Sequence, residues 1–283
     1  MNTLQITQPL VSVQWLAEHL DHPDLVILDA TIKKVTTSND SSVSNLKIRG
    51  SRFFDIKKTF SDLNTDLPNM LPSPASFSEA CKQLGIDTHH TVVVYDKLGI
   101  YSSPRVWWMF KIMGHKNVAV LDGGLPIWQK EKLPCQPENK EEELYPRGNF
   151  EANFNPKLVS DAKNVLAAIT LKDTLILDAR SSGRFNATEP EPRTDLKGGH
   201  IPNSKNLPYK TLIENTQMKS TTELSKILKD FSIENKKLIF TCGSGITACI
   251  LMLAADLSGY QNMSVYDGSW NEWGQLDHVP IEK

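Results

Sequence analysis

The chain has 283 residues, of which 40% are hydrophobic and 23% charged, with a formal net charge of −2. That length predicts two domains of ordinary size, each able to bury a core. The near-neutral balance excludes a nucleic-acid or membrane-surface partner, no apolar run approaches the roughly 20 residues of a membrane span, and Met1–Leu10 lacks a secretory-signal pattern, so a cytoplasmic location is expected.

In chain order, the first strong signal is the apolar strand LVILD, ending at Asp29, and the next is TVVVYD, Thr91 to Asp96. Continuous β-branched runs of this kind read as buried strands of a parallel sheet. The helix PRVWWMFKIMG follows, stopping at Gly114, and then the strand-turn unit VAVLDGGLPIW. The second half repeats the plan with TLILD ending at Asp178, KLIFTC ending at Cys242, the helix TACILMLAADLSG stopping at Gly259, and MSVYDGSWNEW. Glycine is the expected residue past a helix C-terminus. Asp267 follows Asp122 by 145 positions, Trp273 follows Trp128 by 145, and Asp178 follows Asp29 by 149. Near-constant spacing of strand-helix landmarks predicts a tandem duplication of an α/β domain, each copy a central parallel sheet with helices on both faces. The expected division is a first domain over 1–135, a linker over 136–150 marked by Pro137, Pro146 and the run KEEE (Lys140 to Glu143), and a second domain over 151–283.

The halves differ where the chemistry is expected. In open α/β sheets ligands bind at the carboxyl ends of the strands. There the first half has Asp96-Lys97-Leu98-Gly99, and the second has Cys242-Gly243-Ser244-Gly245-Ile246-Thr247-Ala248 before a helix. Two glycines permit tight turns that aim N–H groups inward, and with the helix N-terminus they form an anion-binding nest. A cysteine placed there is expected to act as a nucleophilic thiolate. The alternative, that Cys242 is a small buried hydrophobe at a strand end, is the reading kept for Cys81, Cys135 and Cys249. No pair has CxxC spacing, so reduced thiols are expected, with neither a disulfide scaffold nor a structural zinc. No metal or cofactor motif is visible.

The segment Arg180 to Arg193 follows the strand ending at Asp178 and so lies at the same sheet edge. Arginines beside a thiolate nest suit a small anionic substrate. The competing reading pairs them with Glu189, Glu191 or Asp195 on the surface. His200 in GGHIPNS reads as a structural hydrogen-bonding residue. Trp107, Trp108, Trp128, Trp270 and Trp273 read as core.

These residues resemble the rhodanese superfamily, with two tandem rhodanese-like domains and an active loop only in the second. The loop CGSGITA is similar to that of 3-mercaptopyruvate sulfurtransferases, whereas thiosulfate-using rhodaneses usually carry basic residues after the Cys. GRFNATEPEPR, GHIPNS, YDGSWNEW, FFDI (Phe53 to Ile56) and SPRVWWMF extend the resemblance over nearly the whole chain. It implies that Cys242 forms a persulfide, that Arg184 and Arg193 hold the donor's carboxylate and carbonyl, and that Ser244 handles a proton near the leaving group. It further implies that Gly243, Gly245, Ile246 and Thr247 line the donor site and that Tyr101 lines a cleft between the domains. The implied acceptor is cyanide, a dithiol or a reduced thioredoxin-like protein.

One departure matters. The family commonly places an acidic residue after FFDI and a His before Met-Leu-Pro, in a relay with the loop serine; here these are Lys57 and Asn69. Asn cannot titrate near neutral pH and Lys57 reverses the charge, so a relay of that type cannot operate. Either water protonates the product, or turnover is slower, or the preferred donor differs. The rival readings are a thiosulfate sulfurtransferase, a phosphatase on the same fold, and a non-enzymatic persulfide carrier or regulatory module. The loop has no basic residue to meet a dianionic donor and no closing Arg to hold phosphate.

Overall fold

The computed structural model describes residues 4–32, 44–138 and 144–283. The chain forms two compact units. One comprises the described residues of Met1–Leu63, Leu71–Asn155 and Asn215–Met218, the other those of Asn64–Met70, Pro156–Glu214 and Lys219–Lys283.

In the first unit the elements are β1 (Leu10–Val11), α1 (Val13–Glu18), β2 (Leu25–Asp29), β3 (Leu46–Ile48), β4 (Arg52–Phe53), α2 (Pro74–Gln83), β5 (Thr91–Tyr95), α3 (Ser103–Ile112), β6 (Val118–Leu121), α4 (Gly124–Lys130) and β7 (Cys135–Pro137). Five strands form a parallel sheet in the order β1-β6-β5-β2-β4. Every residue of β5 is buried, as its unbroken β-branched run requires of a central strand.

The second unit contains β8 (Val159–Ser160), α5 (Ala162–Ala168), β9 (Thr174–Asp178), α6 (Ser182–Phe185), β10 (Lys205–Asn206), α7 (Thr221–Lys229), β11 (Lys237–Thr241), α8 (Ala248–Leu257), β12 (Met263–Tyr266) and α9 (Ser269–Trp273). Its parallel sheet runs β10-β9-β11-β12-β8. Read from the other edge, that is the order of the first sheet, so the repeat seen in the sequence is a repeat of topology. Gly114 and Gly259 both have left-handed backbone, φ +84° and +86°, just beyond α3 and α8. All five tryptophans assigned to the core are buried.

The stretch 136–150 is partly built into the first unit, which extends to Asn155. It starts inside β7, which pairs antiparallel with β3. Gly148 N–H then donates to Lys82 O, Phe150 N–H to Ile86 O, Asn153 N–H to Met113 O and Asn155 N–H to Ile112 O. The carbonyls of Ile112 and Met113 close α3, where helix C-termini leave acceptors without intrahelical donors, and this extended chain supplies them. Phe150 is buried against Phe77, Phe110 and His115. The run Lys140 to Glu143 lies outside the described residues. Among the described residues no helix is long and apolar enough to cross a membrane.

Candidate active site

In the second unit β9 and β11 pair in register, with Thr241 opposite Asp178. Ala179 N–H donates to Thr241 O at 2.9 Å, so the arginine segment and the Cys242 loop leave the sheet side by side. Beyond β11 the chain turns through Gly245, at φ +74°, into α8. A left-handed residue of this kind is what a nest of inward N–H groups requires. Cys242 and Ile246 are buried, and Gly243, Ser244 and Thr247 are half-buried. Cys249 is also buried, its Sγ donating to Gly245 O at 3.3 Å. All four cysteines are free.

Ser181 caps the short helix α6, its Oγ accepting the Arg184 N–H. A Cβ added to Gly243 would sit 2.9 Å from Arg184 Nη2, so the guanidinium lies directly against the loop. Arg184 is fixed there by Glu191: Nε donates to Oε2 at 3.1 Å and Nη2 donates to the same oxygen. The other oxygen of Glu191 accepts from Arg180 Nη1 at 2.8 Å. Arg180 in turn forks onto Asp178 at 2.7 and 2.9 Å, donates to Gly199 O, and stacks over the Trp270 ring at 4.1 Å. The side chains of Arg180, Asp178 and Glu191 are at most 1% exposed. Burial works to lower the Arg180 pKa, but attraction and hydrogen bonds from Asp178 and Glu191 raise it. This is a linear chain of alternating charge, Asp178, Arg180, Glu191 and Arg184, with Arg184 at the end beside the loop.

Arg193 is paired with Asp195 at 2.6 Å on a partly exposed stretch. Tyr101 lies in the first unit, where its backbone N–H donates to Asp96 Oδ2. Lys57 is exposed, its N–H on Asp55 Oδ1, and Asn69, at φ +62°, is half-buried. His200 stacks on Phe185 at 3.8 Å and its Nδ1 lies 2.9 Å from the Phe185 carbonyl, steadying α6.

At the position matching Cys242 the first unit has Asp96. Its Oδ2 accepts the N–H groups of Tyr101, Ser102 and Ser103 at 2.9–3.0 Å and the Ser103 hydroxyl at 2.7 Å. The same loop position is thus an anion nest in the first unit, filled by the protein's own carboxylate.

The rhodanese-like domain family matches residues 12–131 and 161–276. The chain belongs to the rhodanese family. Its relatives include the 3-mercaptopyruvate sulfurtransferase of Escherichia coli strain K12, 38% identical over 277 residues, which cover 96% of this chain and 97% of that one. The thiosulfate sulfurtransferase of Rattus norvegicus is 39% identical over 274 residues, covering 93% and 91%. The crystal structure of SseA from Escherichia coli, described as a 3-mercaptopyruvate sulfotransferase, superimposes with a TM-score of 0.82 at 36% identity, covering 93% of this chain and 99% of that one. This rhodanese is a sulfurtransferase with two tandem domains.

Two features of this rhodanese site escape a reading of the sequence. One is the buried bridge that Glu191 makes between Arg180 and Arg184; the sequence offers Glu189, Glu191 and Asp195 as surface partners but not which pair forms or that it is buried. The other is Ser269, buried at φ +50°, whose hydroxyl accepts the Cys242 N–H at 3.1 Å and donates to Tyr266 O at 2.8 Å. Its signal is the repeat itself, because 145 positions earlier stands Gly124, at φ +53°. A left-handed non-glycine residue costs of order 1–3 kcal/mol.

Among the described residues, Asp87, His89 and His90 of the first unit have metal-ligand atoms within 4.8 Å of one another. His90 Nδ1 accepts the Asp87 N–H at 2.9 Å, which places the neutral ring's proton on Nε2 and removes that nitrogen as a ligand. The group does not fit a metal.

Proposed function

We propose that this rhodanese moves sulfur from 3-mercaptopyruvate through a Cys242 persulfide to a thiol or cyanide acceptor, releasing pyruvate. The observation that carries this reading is the seating of Arg184 against Gly243, one residue from the nucleophile, in a loop free of Lys and Arg. Overall identity does not choose the donor, being 38% to a mercaptopyruvate enzyme and 39% to a thiosulfate enzyme. A loop with no cation, served by an arginine whose charge Glu191 already shares, suits a monocarboxylate better than a dianion.

Arg184 binds the donor carboxylate, and Arg193 adds a second guanidinium after exchanging Asp195 for the donor. Recognition thereby becomes orientation, with the donor sulfur facing Cys242. The thiolate attacks that sulfur, the carbon–sulfur bond breaks, and its electron pair leaves as the enolate of pyruvate. With Lys57 and Asn69 at the relay positions, the enolate takes its proton from water beside Ser244. The N–H groups of Gly243, Ser244, Gly245, Ile246 and Thr247 stabilise the persulfide anion. A nucleophilic acceptor, whether cyanide, a dithiol or a reduced thioredoxin-like protein in the cytoplasm, attacks the outer sulfur and restores the thiolate. No cofactor is required. The first domain, 1–135, is catalytically inactive, since Asp96 occupies the nucleophile's place, and residues 136–150 join it to the second.

The test compares pyruvate release from 3-mercaptopyruvate, using a dithiol acceptor, with sulfite release from thiosulfate, using cyanide. Ping-pong kinetics with mercaptopyruvate as the faster donor are expected. Faster thiosulfate turnover would overturn the donor, and a sequential pattern without sulfur-loaded enzyme would overturn the cycle. Gly243→Ala is expected to push Arg184 off the loop, raising the mercaptopyruvate KM about tenfold with a smaller change in kcat. Steady-state kinetics on the variant measure that split.

A further inference from the structure

The two units build the same turn with different residues. In the first, Leu125 N–H donates to Asp96 O at 3.1 Å; in the second, Trp270 N–H donates to Cys242 O at 2.9 Å. The residues just before these donors, Gly124 and Ser269, share a left-handed backbone within 3° of φ (53° and 50°). At Gly124 a Cβ would lie 2.3 Å from Asp96 O, so glycine is the natural occupant of the turn. The second unit instead strains a serine into it, fully buried. Its hydroxyl accepts the Cys242 N–H at 3.1 Å and donates to Tyr266 O at 2.8 Å, with Cys242 Sγ 4.0 Å away, at the outer reach of a hydrogen bond to sulfur.

Resting on the sulfur-transfer reading above, we propose that Ser269 is a positioning residue for Cys242. As acceptor, it pins the backbone N–H of Cys242 and so the direction of the Cα–Cβ bond. Its proton lies toward Tyr266 O when the sulfur carries no charge, and turns to Sγ when the thiolate forms or is released again by the acceptor. A hydroxyl rotation and a closer approach of Oγ and Sγ are involved, and no covalent bond changes. The strain at a glycine position is retained because glycine brings no hydroxyl to the sulfur.

The experiment uses the full chain with Ser269→Gly and Ser269→Ala. Ser269→Gly places in the second unit the residue that the first unit already uses, so it folds, with a thermal midpoint within about 4 °C of wild type. Ser269→Ala keeps the side-chain strain and deletes only the hydroxyl. Both are expected to lower kcat for sulfur transfer roughly 10- to 100-fold, the scale of a hydrogen bond to a charged group. The mercaptopyruvate KM should change less than about twofold, since the serine does not hold the donor. Alkylation of Cys242 by neutral iodoacetamide, followed by mass spectrometry, should slow in parallel. Wild-type kcat and alkylation in either variant would overturn the proposal, because the hydroxyl would then be dispensable. If the wild-type protein released no pyruvate from mercaptopyruvate, the donor reading would fail, while the alkylation rates would still decide the role of Ser269.

Discussion

Replacing Cys242 by Ser should abolish pyruvate release from 3-mercaptopyruvate, by about 10³-fold or more, while the protein stays folded. The loss follows from the element. A serine hydroxyl at neutral pH is a poor nucleophile toward sulfur and cannot form a persulfide. The fold should survive because the hydrogen bonds of residue 242 shorter than 3.5 Å run through its backbone, to Ser269 Oγ and from Trp270 N–H, and the buried serine hydroxyl can still meet Ser269 Oγ. Serine preserves those bonds and nearly the volume. Turnover of either donor and a thermal melt check both halves. Cys249→Ser and Cys81→Ser should retain turnover, as neither thiol lies in the loop. Burial drives the Cys81 thiol well up, which keeps it an inert packing group.

Glu191→Ala should be the most damaging change outside the loop. The carboxylate holds two guanidiniums, Arg180 Nη1 through one oxygen and Arg184 through the other, with its side chain 1% exposed. Removing one member of a buried charge network leaves the rest uncompensated, at a cost of about 3–5 kcal/mol. In this protein Arg180 would keep Asp178 but lose its second carboxylate, and Arg184 would lose the carboxylate that seats it against Gly243. The expected result is a thermal midpoint lower by roughly 10 °C and a raised KM for the donor in the folded fraction. Glu189→Ala, two residues away and exposed, loses a bond to Ser181 Oγ and should cost no more than about 1 kcal/mol. Thermal melts on the two variants, side by side, separate a network from a surface charge.

The central strands were legible because their residues face only protein. β2, β5, β9 and β11 are near-continuous apolar runs, and such runs fit nothing but a sheet covered on both faces. The repeat was legible because the same packing problem is solved twice at nearly fixed spacing. The edge strands β1, β4, β8 and β10 have two residues each, too few for any periodicity to register. The stretch 136–150 carries contacts that its composition does not show. Pro137, Pro146 and the run KEEE mark it as linker, while Gly148 within it fits where Ile86 O lies 2.2 Å from where a Cβ would be. Likewise nothing local announces that Asn215–Met218 joins the first unit. It is held there by Asp122, whose carboxylate accepts from Met218 N–H at 2.9 Å and Gln217 Nε2 at 3.1 Å.

At the candidate site, the placement of Cys242 and its loop between β11 and α8 could be read from the sequence, since a buried apolar strand, two glycines and a helix start follow one another there. The pairing of the arginines was less legible than their presence at the sheet edge. Arg184 lies against the loop, but the partner of Arg193 is Asp195, two residues along, an exposed pair of the kind that composition makes common. Ser269 was hidden because left-handed backbone at a serine is a tertiary fact, visible only when both halves are laid over each other.

The most direct measurement is the mass of the peptide containing Cys242 after brief exposure of the protein to 3-mercaptopyruvate without acceptor. A gain of one sulfur atom on Cys242, matched by one pyruvate released per chain and reversed by a dithiol, is the predicted result. Pyruvate release with no sulfur on Cys242, or sulfur carried by another cysteine, would contradict the account.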